Sequence, residues 1–287
     1  MWRLVSLCFA LFAFSASALA QGDIPSDSRL KAIVGKKVIR IAYRNDATPY
    51  SFVNAKNEPV GYTIDLCQMV VRSIAQQLGL QELKIEWVPV TVQTRFTAVT
   101  GNQADMECGS STVTLGRMKE MDFSNLVFIE STGILVARAS NFRSVGDMAG
   151  KRIAVIGNTT NEQALKDHVR ERRLDVTLLS VKDREEGIAA LESGKVDGYA
   201  SDKLLLVGAK IKQPDAIEML PDDLSIEPYA IVLPRGDWAF RVAVNTGLAQ
   251  VYRSGQSLEV FKRWFDPVGL RPSLLLRAIY ALGSVPN

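Results

Sequence analysis

Apolar and polar positions along the chain repeat one grammar twice. Val38 to Tyr43 is apolar apart from Arg40 and reads as a buried strand. From Tyr62 to Leu78, Leu66, Val70, Ile74 and Leu78 recur every four residues. Asp65 lies in the first turn and Gly79 just beyond the last, which predicts a helix. Leu83 to Val90 opens with alternating Leu83, Ile85 and Trp87, a second strand. Gln93 to Thr100 is a short helix closed by Gly101, and Ala104 to Cys108 a third strand running into Gly109-Ser110-Ser111-Thr112. The second unit follows the same order. A strand over Arg152 to Ile156 turns through Gly157-Asn158-Thr159-Thr160 into a helix from about Asn161 to Arg172. Next come a strand over Asp175 to Val181, a helix over Arg184 to Glu192 and a strand over Asp197 to Ser201, after which Asp202 opens another helix. An extended Tyr229 to Leu233 precedes two long helices, Asp237 to Ser254 and Ser257 to Phe265. This alternation predicts an α/β fold of two lobes, each a mostly parallel sheet faced by helices. Residues 21–132 and 233–287 are expected in the first lobe and 133–232 in the second. The chain should cross between them near Ser131 to Val136 and near Tyr229 to Leu233.

The first twenty residues differ in kind. Arg3 precedes an apolar run from Leu4 to Phe14, then small residues ending Ala18-Leu19-Ala20, the pattern of a secretory signal peptide over residues 1–20. Export would place the chain in the periplasm. There the remaining thiols, Cys67 and Cys108, meet an oxidising compartment. Two readings of that pair stay open, a disulfide and two small buried hydrophobes. The balance of 34 Lys and Arg against 31 Asp and Glu argues against a nucleic-acid binder. With one histidine, His168, and no CxxC or HExxH, no metal site and no cofactor are expected.

In open α/β sheets ligands sit beyond the carboxyl ends of the strands. Those ends deliver Arg44, then Arg95, then Ser110 to Thr112 with Arg117. In the second unit they deliver Thr159 and Thr160, Arg184, and Asp202. Arginine pairs bidentately with carboxylate or phosphate, and a Thr-Thr turn opening a helix offers free N–H groups to an anion. No Walker loop or GxGxxG is present, which favours a small organic acid over a nucleotide. Asp202 would hold an ammonium group. Together these features describe an acidic amino acid.

Asp105-Met106-Glu107-Cys108-Gly109-Ser110-Ser111-Thr112, Arg117 and Met121-Asp122-Phe123-Ser124 carry a resemblance. So do Gly61 to Leu66, Leu191 to Asp197 and Lys262-Arg263-Trp264-Phe265. From about Lys36 to Asp266 the chain resembles the periplasmic polar-amino-acid-binding proteins of bacterial ABC transporters, the family-3 solute-binding proteins, and most of all their glutamate/aspartate-binding branch. The resemblance implies a type II periplasmic-binding-protein fold with a two-segment hinge. It also implies a monomeric receptor that delivers its ligand to a membrane permease. Arg117 matches the arginine on the α-carboxylate, assisted by Thr112, Thr159 and Thr160. Ser110 and Asp202 match the ammonium positions, and Arg44 and Arg95 the readers of the side-chain carboxylate. Val92 departs from an expected serine and Arg184 from an expected histidine.

A rival from another class is a cyclohexadienyl (prephenate/arogenate) dehydratase-like enzyme on the same fold, to which the strand ends offer no obvious general acid or base. Residues 267–287 lie outside the resemblance. Leu274, Leu275, Ala278, Ile279 and Leu282 form an apolar stripe on a helix there, expected to dock on the first lobe.

Overall fold

The computed structural model describes residues 24–286. The expected signal peptide, residues 1–20, lies outside them. The chain opens with α1 (Arg29–Lys36) and β1 (Val38–Arg44). A small ribbon follows, of β2 (Asp46–Ala47), β3 (Ser51–Val53) and β4 (Pro59–Val60). Then come α2 (Tyr62–Gln77), β5 (Lys84–Val90), α3 (Arg95–Thr100), β6 (Met106–Glu107) and β7 (Met121–Glu130). The second lobe runs through β8 (Thr132–Ala137), β9 (Lys151–Ile156), α4 (Thr160–Arg172), β10 (Val176–Val181), α5 (Arg184–Glu192), β11 (Gly198–Asp202), α6 (Lys203–Lys212) and β12 (Ile217–Met219). The chain then returns as β13 (Glu227–Pro234), α7 (Trp238–Arg253), α8 (Gln256–Phe265) and α9 (Leu274–Gly283).

The strands form two five-stranded sheets, ordered β5-β1-β6-β13-β7 and β10-β9-β11-β8-β12. In each sheet one strand opposes the rest: β13 is antiparallel to β6 and β7, and β8 to β11 and β12. Each opposing strand is the one that has just arrived from the other lobe. The two crossings are therefore Ser131 and the segment 220–226. The boundary expected between 232 and 233 falls inside β13, which pairs with β7 from Glu227 onward. Tyr229 to Leu233 reads as a crossing because it is extended and uniformly apolar. It is an inner strand buried on both faces, which needs the same pattern.

Periodicity serves α2 well: Leu66, Val70 and Ile74 are all fully buried. The helix begins at Gly61, whose φ of 137° and whose contact with the Tyr50 carbonyl, 2.3 Å from where a Cβ would stand, both require glycine. Beneath α2, Tyr50 packs edge-on against Phe128 and Tyr229 with ring centroids 5.1 and 5.2 Å apart. Cys67 on α2 and Cys108 just beyond β6 form a disulfide, which settles the two open readings. The C-terminal helix does dock on the first lobe, but by another face. Leu276, Tyr280 and Gly283 are buried, with Tyr280 stacked on Tyr252 and its hydroxyl hydrogen-bonded to that of Tyr62. Leu274, Leu275 and Leu282 of the expected stripe stay exposed while Ile279 packs against the core, because the tyrosine contact turns the side of Leu276 and Tyr280 inward. No described helix is long and apolar enough to cross a membrane.

Candidate binding site

The strand ends of both lobes meet around one small cavity, lined by Arg44, Arg95, Ser110, Thr112, Thr159, Thr160, Arg184 and Asp202, with Val92, Asn161 and Ser201 between them. Eight of the nine predicted residues thus share one enclosure. The ninth, Arg117, is outside that lining and stands behind Thr112, its Nη1 donating to the Thr112 carbonyl at 2.7 Å.

The first lobe supplies a cationic wall. Arg44 is the last residue of β1 and is buried. Its Nε donates to Asp46 Oδ1 at 2.8 Å, and its Nη2 lies 2.6 Å from the same oxygen as an ion pair. Arg95 opens α3 and is also buried. Nη1 donates to the Val92 carbonyl at 2.7 Å, the guanidinium lies 4.4 Å over the Phe96 ring, and Nε has no partner. Burial, reinforced by the Arg44 charge, pushes its pKa down to about 9. Arg117 lies against the same ring at 4.8 Å, and burial lowers its pKa as well. Beneath these arginines Glu107 is fully buried, accepting from the Ser111 hydroxyl at 2.8 Å. Burial raises its pKa, against the pull of Arg95.

The second lobe and the crossings supply an acidic end. Asp202 closes β11 and accepts from Asn161 Nδ2 at 2.9 Å. Burial, aided by the Glu227 charge, lifts it to about 6, while the Asn161 hydrogen bond opposes the rise. Glu227 accepts from the Thr112, Thr132 and Ser225 hydroxyls, at 2.7, 3.4 and 2.6 Å. Glu130, its direct partner across β7 and β13, accepts from the backbone N–H groups of Leu204 and Ser131 at 2.7 and 3.0 Å. Burial and the Asp202 charge push Glu130 up to about 8. Thr159 caps α4, accepting from the Glu162 N–H at 3.2 Å and donating to the Ile156 carbonyl at 2.7 Å.

Away from the crossings, three hydrogen bonds among the described residues join the lobes. Arg184 Nη1 donates to the Asp46 carbonyl, Gln93 Nε2 donates to the Lys182 carbonyl at 2.8 Å, and the Thr112 and Thr160 hydroxyls meet at 3.3 Å. Arg184 thus reaches from the second lobe to the first. Among the described residues no group of His, Cys, Asp and Glu could hold a metal ion.

Residues 39–267 match the family model of the bacterial extracellular solute-binding proteins, family 3. The chain belongs to that family. It is 33% identical over 255 residues to the L-glutamate/L-aspartate-binding protein of Pseudomonas aeruginosa, covering 87% of this chain and 84% of that one. It is 30% identical over 262 residues to the glutamate/aspartate import solute-binding protein of Escherichia coli, covering 89% and 87%. Among solved structures, an ancestral amino acid-binding protein described as a precursor of cyclohexadienyl dehydratase superposes with a TM-score of 0.72 at 24% identity, over 83% of this chain and 100% of that one. That likeness shows the fold alone, and the dehydratase-like rival rests on nothing more. The chain is a solute-binding protein of amino acid ABC transport, a receptor rather than an enzyme.

Asn161, Glu227, Glu130, Glu107 and Asp46 were not predicted. Glu107 lies inside the Asp105 to Thr112 motif but carries no signal of its own charge role. Asn161 reads only as a helix start, and Glu227 as the residue before an apolar run.

Proposed function

We propose that this receptor binds an acidic amino acid, glutamate or aspartate, between its lobes in the periplasm and delivers it to an ABC permease. The observation that carries this reading is the charge layout of the cavity: the buried cations Arg44 and Arg95 on one wall, the buried carboxylate of Asp202 on the other. An acidic amino acid brings two carboxylates and one ammonium to such a layout. Thr112, Thr159 and Thr160, with the Arg117 charge behind Thr112, would take the α-carboxylate, and Ser110 and Asp202 the ammonium. Arg95 and Arg44 would read the distal carboxylate, with Arg184 closing over it. A buried arginine that meets a neutral group keeps its desolvation cost, so an amide should bind less well than its acid.

Isothermal titration with glutamate, glutamine, aspartate and asparagine tests the reading. We expect acid over amide by at least about tenfold, roughly 1.4 kcal/mol, and a smaller gap in Arg95→Gln. Equal affinity of the wild type for glutamine and glutamate would remove the acidic-ligand assignment and leave the receptor assignment standing.

A further inference from the structure

The arginines of the cavity differ in how far their charge is already engaged. Arg44 alone among Arg44, Arg95, Arg117 and Arg184 has a carboxylate within ion-pair distance among the described residues. That carboxylate belongs to Asp46, two residues on, at the start of the ribbon β2–β4. The Arg44 side chain is 4% exposed and that of Asp46 35%, so the pair sits at the rim of the buried region with the cation inward. Nε donates to Oδ1, and Nη2 lies within ion-pair distance of the same oxygen. Arg95, facing the same cavity, has only a carbonyl and an aromatic ring for company, and Glu107 lies below it without an ion pair at bonding distance.

We propose that Asp46 is a specificity-determining residue: its carboxylate neutralises Arg44, leaves Arg95 as the principal reader of the ligand's distal group, and so limits the preference for acids over amides. The idea rests on the acidic-amino-acid reading given above. Its physical basis is a difference in charge. With the Asp46 carboxylate paired to Arg44, the distal wall offers the net charge of Arg95 with Arg184 behind it. Without that negative charge, Arg44 joins them, and the field at a distal carboxylate rises while that at a neutral amide scarcely changes. The contact between the lobes is untouched by such a change, because Arg184 uses the backbone carbonyl of Asp46 and not its side chain.

Asp46→Asn is the test. It keeps shape and an acceptor for Arg44, on a partly exposed side chain where folding should tolerate it. Titrations of wild type and variant with glutamate and glutamine give two separate numbers. The wild-type acid-to-amide ratio judges the acidic-ligand reading. The change of that ratio on substitution judges Asp46. We expect the ratio to rise about fivefold, through tighter glutamate binding with glutamine nearly unchanged, as suits a half-exposed pair. The rise should shrink in high salt and vanish in an Arg44→Gln background. An unchanged ratio overturns the proposal. So does a loss of glutamate affinity, which would mean that Asp46 only orients Arg44 toward the ligand. Failure of the wild type to bind either amino acid would overturn both this proposal and the reading beneath it.

Discussion

The two ends of the cavity are built from opposite charges and held in opposite ways. At the arginine wall, burial works against cations that have too few anions near them, and Arg95 is pushed down to about 9. At the crossings, burial works against carboxylates, and Asp202 and Glu130 are pushed up to about 6 and about 8. Neither end is electrostatically content by itself. A ligand with anionic and cationic groups at fixed separation relieves both at once when the lobes are closed, because Arg44 and Arg95 stand on the first lobe and Asp202 on the second. Closure and recognition are therefore one event. The means of support differ too. The arginine wall stands on β1, α3 and β6, and the residue directly after β6 is bonded covalently to α2 through Cys67–Cys108. The acidic end has no such bond and relies on hydrogen bonds among Asn161, Thr132, Ser225 and Glu227.

Removing the covalent tie is the largest perturbation of that contrast. The disulfide closes a loop over a sequence separation of 41. The unfolded chain of a Cys67→Ser/Cys108→Ser variant should gain entropy worth about 4 kcal/mol in the loop-closure model. Chemical denaturation of the purified variant measures this. A loss under about 1 kcal/mol would show that packing of α2 alone positions the wall.

Glu130 is the next probe. Its folded pKa, about 8, exceeds the ordinary 4.5, so between those values the folded protein holds a proton that the unfolded chain has released. Stability must then fall as pH rises from about 4.5 to about 8, by up to about 1.4 kcal/mol per pH unit from this group. Asp202 adds a similar decline between 3.8 and about 6. Glu130→Gln should flatten the upper part of that decline, above about pH 6, in denaturation curves taken at pH 5, 6, 7 and 8. A wild type that gains stability across this window would mean that the backbone donors of Leu204 and Ser131 hold the group ionised.

The contrast between ends also marks what the chain reveals when read alone. Strand ends are local: an apolar run stops, and the next polar residues face the cavity. Arg44, Arg95, Thr112 and Asp202 were legible for that reason. The groups that tune them are not local. Glu227 reaches Thr112 over a separation of 115 residues, and Asn161 joins Thr132 and Asp202 over 29 and 41. The Glu227 and Thr132 pairings exist because β8 and β13 are the strands that arrive from the other lobe, and no periodicity announces such a strand; the Asn161–Asp202 bond joins α4 to β11 within the second lobe. Asp46 escaped notice for a different reason. A carboxylate two residues from an arginine is an ordinary surface pattern until a ribbon turn folds it back. For α9, two apolar faces left the choice to Tyr280 and its tyrosine neighbours, a packing fact that patterning cannot carry.

The smallest predicted effect compares the ends through protons. Asp202 can hold an ammonium only as a carboxylate, and its pKa of about 6 puts it near half protonation at mildly acidic pH. A bound ammonium favours the ionised form, so binding near pH 6 should release a proton, and affinity should fall as pH drops below that value. One unit below, at pH 5, the loss should approach tenfold, about 1.4 kcal/mol. A dicarboxylate of the same length without the amine engages only the arginine wall and should bind with no such loss. In Asp202→Asn the amino acid should bind more weakly at pH 7, by roughly 1.5–3 kcal/mol for a lost charge-assisted contact, and the dependence between pH 5 and 7 should disappear. Titrating both ligands at pH 5, 6 and 7 against both proteins separates the ends. If amine-bearing and amine-free ligands lose affinity together, the proton goes to a group that both of them touch, and Asp202 does not face the ammonium.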